Sequence, residues 1–179
     1  MNTVMAIERL REILNEYVRL LEQSPIQEHV LQTYLTNHPI LLSPSYRAVH
    51  PQFRLGAEYI ADFVIETYDG NYTLVEIEKP TDRLYLNSGD PSSALTHAEQ
   101  QVLNWQSWVR QNVAYLRYQS NLMMNDPEGL VVIGRRSQLS KEKKKKLDER
   151  NRSLRGHLQI VTFDTLSMRL SQIIDNIMA

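Results

Sequence analysis

Two strand-like segments with a turn between them constrain the fold of this chain more than any other feature of the sequence. Residues 59–67 and 72–78 are rich in β-branched and aromatic side chains, and Asp69-Gly70-Asn71 separates them. This pattern predicts a β-hairpin. Two later apolar runs, at 130–134 and 157–163, have the length of buried strands.

Helical periodicity places helices before, between and after these strands. The predicted helices cover residues 7–21, 25–37, 92–116, 139–152 and 164–178. Ser24-Pro25 separates the first two helices, and Asp164 is the expected N-cap of the last one. Pro44 and Pro51 predict a loop over residues 40–51. The alternation of helices and strands indicates an α/β domain with a mixed sheet.

Composition excludes several classes of chemistry. The 179 residues fit one domain, and the absence of cysteine excludes disulfides, thiolate metal sites and cysteine nucleophiles. The five histidines form no HxxxH or HExxH spacing, and no glycine-rich phosphate motif is present, so we expect no nucleotide cofactor. No apolar run approaches the ~18 residues needed to cross a bilayer. We therefore expect a cytoplasmic protein that does not contact membranes.

A net charge of −1 hides an uneven distribution of charge. Between Arg135 and Arg155, ten basic residues stand against three acidic ones, which gives a local charge of +7. This segment would attract a polyanion such as DNA, although the same pattern is typical of a solvated helix face. The basic residues that we expect to contact DNA are Arg135, Arg136, Lys143, Lys144, Lys145 and Lys146.

Acidic residues interrupt the two predicted hairpin strands. Side chains two residues apart in a strand share a face, so Glu76 and Glu78 point the same way. A three-residue Asp69-Gly70-Asn71 loop sets Asp62 opposite Glu78 and diagonal to Glu76, so that three carboxylates converge. A two-residue turn would instead move Asp62 to the other face. We favour the longer loop because the shorter one leaves each acid in apolar surroundings, where ionisation is costly.

Clustered carboxylates repel one another unless a cation lies between them. Mg²⁺ and Mn²⁺ bind carboxylate and carbonyl oxygens, and such an ion can polarise a phosphoryl oxygen and activate water. The acids therefore predict a metal-dependent phosphodiesterase. The alternative is that Glu76, Glu78 and Lys79 are simply exposed on an edge strand.

The spacing of Asp62 from Glu76-Ile77-Glu78-Lys79-Pro80 resembles the PD-(D/E)xK nuclease motif. The surrounding sequence resembles the Shedu family of bacterial anti-phage defence nucleases over residues 25–178. The segments that carry this resemblance are 27–39, 74–80, 97–102, 132–135 and 160–164. It implies a restriction-endonuclease-like core with a mixed central sheet flanked by helices, an added N-terminal helix over 1–24 and a nuclease-like domain over 25–179.

The resemblance also implies metal-dependent cutting or nicking of phage DNA by a homo-oligomer of two or four subunits. By position, Asp62 and Glu76 would bind the metal, with the carbonyl of Ile77 as a further ligand. Glu28 would hold a metal-bound water. Gln101, followed by Trp105, resembles the Gln-x-x-x-aromatic element of RecB-like nucleases, with Gln100 as the alternative.

The sequence departs from the motif at Glu78, which stands where a lysine is usual. Glutamate serves there in some nucleases of this fold, and Lys79 is the alternative substitute. Two other functions stay open at this stage. One is an inert nuclease-like module that binds DNA, and the other is a scaffold that assembles through the first helix.

Overall fold

The computed structural model describes residues 3–23, 26 and 28–179, apart from the side chains of Thr3 and Glu28. Its helices are α1 (Thr3–Glu22), α2 (Glu28–Asn37), α3 (Ser93–Gln111), α4 (Val113–Ser120), α5 (Lys141–Ser153) and α6 (Phe163–Met178). Its strands are β1 (Tyr46–Leu55), β2 (Tyr59–Thr67), β3 (Tyr72–Ile77), β4 (Glu128–Val132) and β5 (Leu158–Val161). No helix among these residues is both long enough and apolar enough to cross a membrane.

The strands form one sheet in the order β1-β2-β3-β4-β5. The first three strands are antiparallel neighbours, whereas β3, β4 and β5 run parallel. Helices cover both faces, since one core cluster includes Trp105 of α3 and Leu147 of α5, and the other includes Tyr17, Leu31 and Leu166 of α1, α2 and α6. This mixed sheet between two helical layers confirms the fold class expected from the sequence.

The loop expected over residues 40–51 is wrong, because β1 begins at Tyr46. Pro51 pairs with Phe63 inside this strand. Proline is tolerated there because β1 is the edge of the sheet, so the missing N–H faces no second neighbour. A short 3₁₀ turn, Pro39–Leu41, precedes the strand.

The single helix expected over residues 92–116 is instead two helices, with Asn112 between α3 and α4. The expected cap at Asp164 is wrong. Thr162 caps α6 through a reciprocal pair of hydrogen bonds with Thr165, and the Asp164 carboxylate instead binds the guanidinium of Arg135 at 3.0 Å. The boundary at Ser24-Pro25 lies outside the described residues, and the division at residue 24 stays a prediction.

Candidate metal centre and its surroundings

The register of the β2–β3 hairpin differs from the expected one by two residues. The loop is Tyr68-Asp69-Gly70, because the N–H of Thr67 donates to the carbonyl of Asn71 at 3.0 Å. Gly70 takes a φ of 80°, which suits glycine at the third position of such a loop. Phe63 therefore pairs with Val75, and the same register continued by one residue sets Asp62 directly opposite Glu76.

Asp62 lies where β2 and β3 separate. Regular pairing of the two strands stops at Phe63 and Val75. Past this last pair, the N–H of Ile77 donates to the carboxylate of Asp62 at 2.8 Å instead of to a backbone carbonyl of β2. The carboxylate therefore points into the gap between the strands.

The backbone of Ile77 faces the same gap. Glu78 donates its N–H to Val132 on the other side of β3, at 2.9 Å, whereas Ile77 donates towards Asp62. In an extended strand the N–H and C=O of one residue point to the same side. The carbonyl oxygen of Ile77 is therefore directed towards β2, beside Asp62.

Two glutamine amides complete the surroundings of Asp62. Gln32 of α2 and Gln52 of β1 donate to its Oδ1 atom at 3.3 and 3.0 Å. Gln52 has a φ of 48°, in the left-handed region that costs a residue with a Cβ about 1–2 kcal/mol. Strain of this kind persists only where surrounding contacts over-determine the conformation. The hydrogen bond from the Gln52 amide to Asp62 is one contact that the left-handed backbone of Gln52 permits.

Glu76 lies on the face of the sheet that α3 covers. Leu74, two residues earlier in β3, belongs to the core cluster under α3, and alternate residues share a face. Gln101 is half-buried on α3, beside the buried stripe of Ala98 and Trp105. Gln100 is exposed and donates to Asn104 at 2.9 Å instead. The structure therefore favours Gln101 over Gln100 as the glutamine that faces the sheet.

The convergence of three carboxylates is not observed. Within the described residues, no three acidic, histidine or cysteine side chains are grouped so that they could hold a metal ion. Regular pairing of β2 with β3 ends before Asp62, and the carboxylate of Asp62 accepts the N–H of Ile77 instead of lying over a face of the sheet. Asp62, Glu76 and the Ile77 carbonyl stay the predicted ligands, and their oxygens are hard donors of the kind that Mg²⁺ and Mn²⁺ prefer.

The other predicted site residues are spread around this centre. Glu78 is half-buried and Lys79 is exposed just beyond the end of β3. Glu28 begins α2 one turn before Gln32, but its side chain lies outside the described part of the chain. The catalytic roles of these three residues stay predictions.

The predicted DNA-binding residues have unequal surroundings. The guanidinium of Arg135 binds Asp164 and the carbonyl of Leu21, so it ties α1 to α6. Lys143 and Lys146 donate to the carbonyls of Tyr85 and Gly89, at 3.4 and 3.2 Å, and fix the loop that follows β3.

Of the remaining three cations of this set, Lys145 is the one closest to solvent. Lys145 is exposed and forms a surface pair with Glu149 at 3.7 Å. Arg136 and Lys144 are half-buried. Their contact with DNA, like that of Arg135, Lys143 and Lys146, stays a prediction.

Sequence reasoning missed the two glutamines on Asp62. Gln32 follows Glu28 by one helical turn, so the helical repeat carried a signal for it. The sequence carried no such signal for Gln52. Its contact with Asp62 depends on strand β1, and Pro44 and Pro51 led to the prediction of a loop in its place.

The sequence profile of the family described as "Shedu protein SduA, C-terminal" matches residues 26–167. The chain belongs to this family. The Shedu match covers α2 to the start of α6 and leaves α1 outside it. The resemblance to the Shedu family inferred from the motifs is therefore confirmed.

Solved structures with a similar fold include a repair endonuclease from Pyrococcus abyssi, at 14% identity and a TM-score of 0.44. Another is the EndoMS-dsDNA2 complex, at 15% identity and a TM-score of 0.41. The aligned regions cover 78% and 76% of this chain but 47% and 44% of those proteins, so the Shedu chain spans less than half the length of either. None of the curated proteins matches it.

Proposed function

We propose that this Shedu protein is a Mg²⁺- or Mn²⁺-dependent DNA endonuclease that cuts or nicks phage DNA in the cytoplasm. The observation that carries the proposal is the position of Asp62. Its carboxylate lies in the gap between β2 and β3, opposite Glu76 and hydrogen-bonded to the backbone of Ile77. Family membership supports the defence role.

Asp62, Glu76 and the Ile77 carbonyl would hold the ion. A divalent cation bound by two carboxylates and one carbonyl keeps positions for water and for a phosphate oxygen, and it supplies charge neutralisation and an activated water. Gln32 and Gln52 orient the Asp62 carboxylate, since each donates to its Oδ1 atom. Partners of this kind fix the direction of a ligand's lone pairs.

Glu78, Lys79, Glu28 and Gln101 complete the proposed catalytic set. Glu78 takes the place of the usual lysine and would orient the attacking water, with Lys79 available at the exposed strand end. Glu28 is the first residue of α2 and Gln101 lies on α3, and these two helices are on either side of the sheet. We also propose that the protein works as a dimer or tetramer.

Incubation of purified protein with supercoiled plasmid tests this function. We expect nicked or linear DNA when Mg²⁺ or Mn²⁺ is present and intact plasmid when EDTA removes the metal. Salt-dependent DNA binding with no cleavage under either metal would instead indicate the inert binding module, for which Glu78 in the lysine position is the sequence sign.

Replacing Gln52 by glycine distinguishes the contribution of its side chain to cleavage from the contribution of its backbone to stability. Glycine accepts a φ of 48° without strain, so thermal stability should be maintained or rise. Loss of the amide that orients Asp62 should lower the cleavage rate about 10–100-fold, the usual effect of removing a partner of a metal ligand.

Gln52→Asn is the matched variant, because asparagine tolerates the same backbone but is one methylene shorter. We expect it to cleave as poorly as Gln52→Gly. Cleavage at the wild-type rate by both variants would show that the contact with Asp62 has no role.

A further inference from the structure

A cavity of about 470 Å³ opens beyond the carboxyl ends of β3 and β4, and its first lining residue, Thr81, follows the proposed ligand Ile77 by four positions. The loop after β3, the turn after β4 and the start of α5 form its walls. Its polar lining comprises Thr81, Arg83, Asn87, Arg135, Gln138 and Lys143. Crevices at the carboxyl ends of parallel strands are the usual ligand sites of open α/β sheets.

The lining of this cavity is cationic. Three of its residues, Arg83, Arg135 and Lys143, carry positive charge, and no carboxylate is present among the described residues that line it. The nearby Asp82 carboxylate is turned away to the N–H of Lys79, at 3.3 Å. A cavity with this charge and several polar donors favours an anion.

The three cations differ in what already binds them. Arg135 is held by Asp164, and Lys143 donates to the carbonyl of Tyr85. Arg83 is exposed and makes no hydrogen bond or ion pair with any residue that the structure describes. Its guanidinium is therefore the cation available to a ligand. Lys143 adds its charge nearby, whereas Asp164 compensates the charge of Arg135.

The walls of the cavity are fixed by backbone contacts. Gly134 donates to the carbonyl of Lys79 at 3.1 Å, and Ser92 donates to that of Leu84 at 2.9 Å. Gly134 takes a φ of 61°, and a Cβ there would approach the carbonyl oxygen of Asp82 to 2.4 Å. The loop after β3 and the turn after β4 are therefore in direct backbone contact at Gly134, and the cavity is formed before any ligand binds.

We propose that this cavity binds a backbone phosphate of the DNA strand, next to the phosphate that lies at the metal centre. The inference rests on the proposed function for its ligand. Thr81 follows the proposed ligand Ile77 by four residues, a separation of at most about 14 Å along the chain, so a DNA strand bound at the centre is long enough to reach the cavity. Arginine suits the role, since its planar fork matches two phosphate oxygens.

Fluorescence anisotropy with a labelled DNA duplex in EDTA tests this site without cleavage. We expect Arg83→Ala to weaken DNA binding by about tenfold, as for the loss of one charge-assisted hydrogen bond. The slope of log K against log[NaCl] should fall by about 0.9, the value for one phosphate contact. Arg117→Ala is the matched control, because Arg117 is also exposed but lies on α4.

Unchanged affinity and slope in Arg83→Ala would overturn the phosphate site, and so would equal losses in Arg83→Ala and Arg117→Ala. The result is independent of catalysis. If the wild-type protein binds DNA through Arg83 but never cleaves plasmid, the phosphate site stands and the proposed nuclease activity fails. If it cleaves plasmid and Arg83→Ala binds normally, the activity stands and the phosphate site fails.

Discussion

Replacing Asp62 by alanine is expected to abolish DNA cleavage, with a loss of about 10³-fold or more. The Asp62 carboxylate lies in the gap between β2 and β3, where it accepts the N–H of Ile77. A metal ion supplies several kcal/mol of transition-state stabilisation, and each 1.36 kcal/mol is a factor of ten in rate. Glu76→Ala should have an effect of the same order, because Glu76 is the residue opposite Asp62.

The Asp62 variants also need a test of folding. Asp62→Asn keeps an oxygen that can accept the N–H of Ile77, so its melting temperature should stay close to that of the wild type while cleavage is lost. Glu66→Ala is the matched control on the same strand, since Glu66 pairs only with exposed Arg47 among the interactions of the described residues. Wild-type cleavage by both Asp62→Ala and Glu76→Ala would refute the proposed site.

The largest effect on stability is expected at the ion pair between Glu99 and Arg150. Arg150 of α5 donates through Nε and Nη2 to both carboxylate oxygens of Glu99 on α3. This carboxylate raises the pKa of the Arg150 guanidinium through its hydrogen bonds. The Glu99 side chain is only 9% exposed, whereas that of Arg150 is 32% exposed.

Glu99→Ala should therefore lower the free energy of unfolding by about 3 kcal/mol. Removal of one partner of a buried pair costs about 3–5 kcal/mol, and we use the lower end because Arg150 reaches solvent. This loss corresponds to a melting temperature about 6–12 °C lower for a domain of this size. Denaturant titration measures the change directly.

Glu142→Ala is the control for the Glu99 prediction, because Glu142 pairs with Lys146 at 3.7 Å on the exposed surface of α5. Surface pairs contribute about 0–1 kcal/mol. Equal losses in Glu99→Ala and Glu142→Ala would show that the bidentate contact does not hold α5 against α3.

Local sequence patterns were enough to predict most of the elements in this chain. The β-branched segments at 59–67 and 72–78 define β2 and β3, and the helical periodicity over 92–116 predicts α3 but not the break at Asn112. The acids of the motif also identified the strands around which the candidate site is built. These features depend on periodicity and turn chemistry, which nearby residues determine.

Features that depend on distant contacts could not be read in the same way. Pro51 indicates a loop unless its strand is known to be the sheet edge, and Gly70 alone does not decide which three residues form the hairpin loop. Arg135 has the charge of a DNA ligand, yet the structure binds its guanidinium to Asp164. The amide of Gln52 reaches Asp62 only because β1 pairs with β2.

Diffraction from a crystal soaked in Mn²⁺ tests the metal centre most directly. We expect an anomalous peak about 2.0–2.3 Å from carboxylate oxygens of Asp62 and Glu76 and from the carbonyl oxygen of Ile77, within the usual range for hard divalent cations. A well-ordered structure with no anomalous peak between these residues, and with Gln52 still donating to Asp62, would contradict the proposed centre.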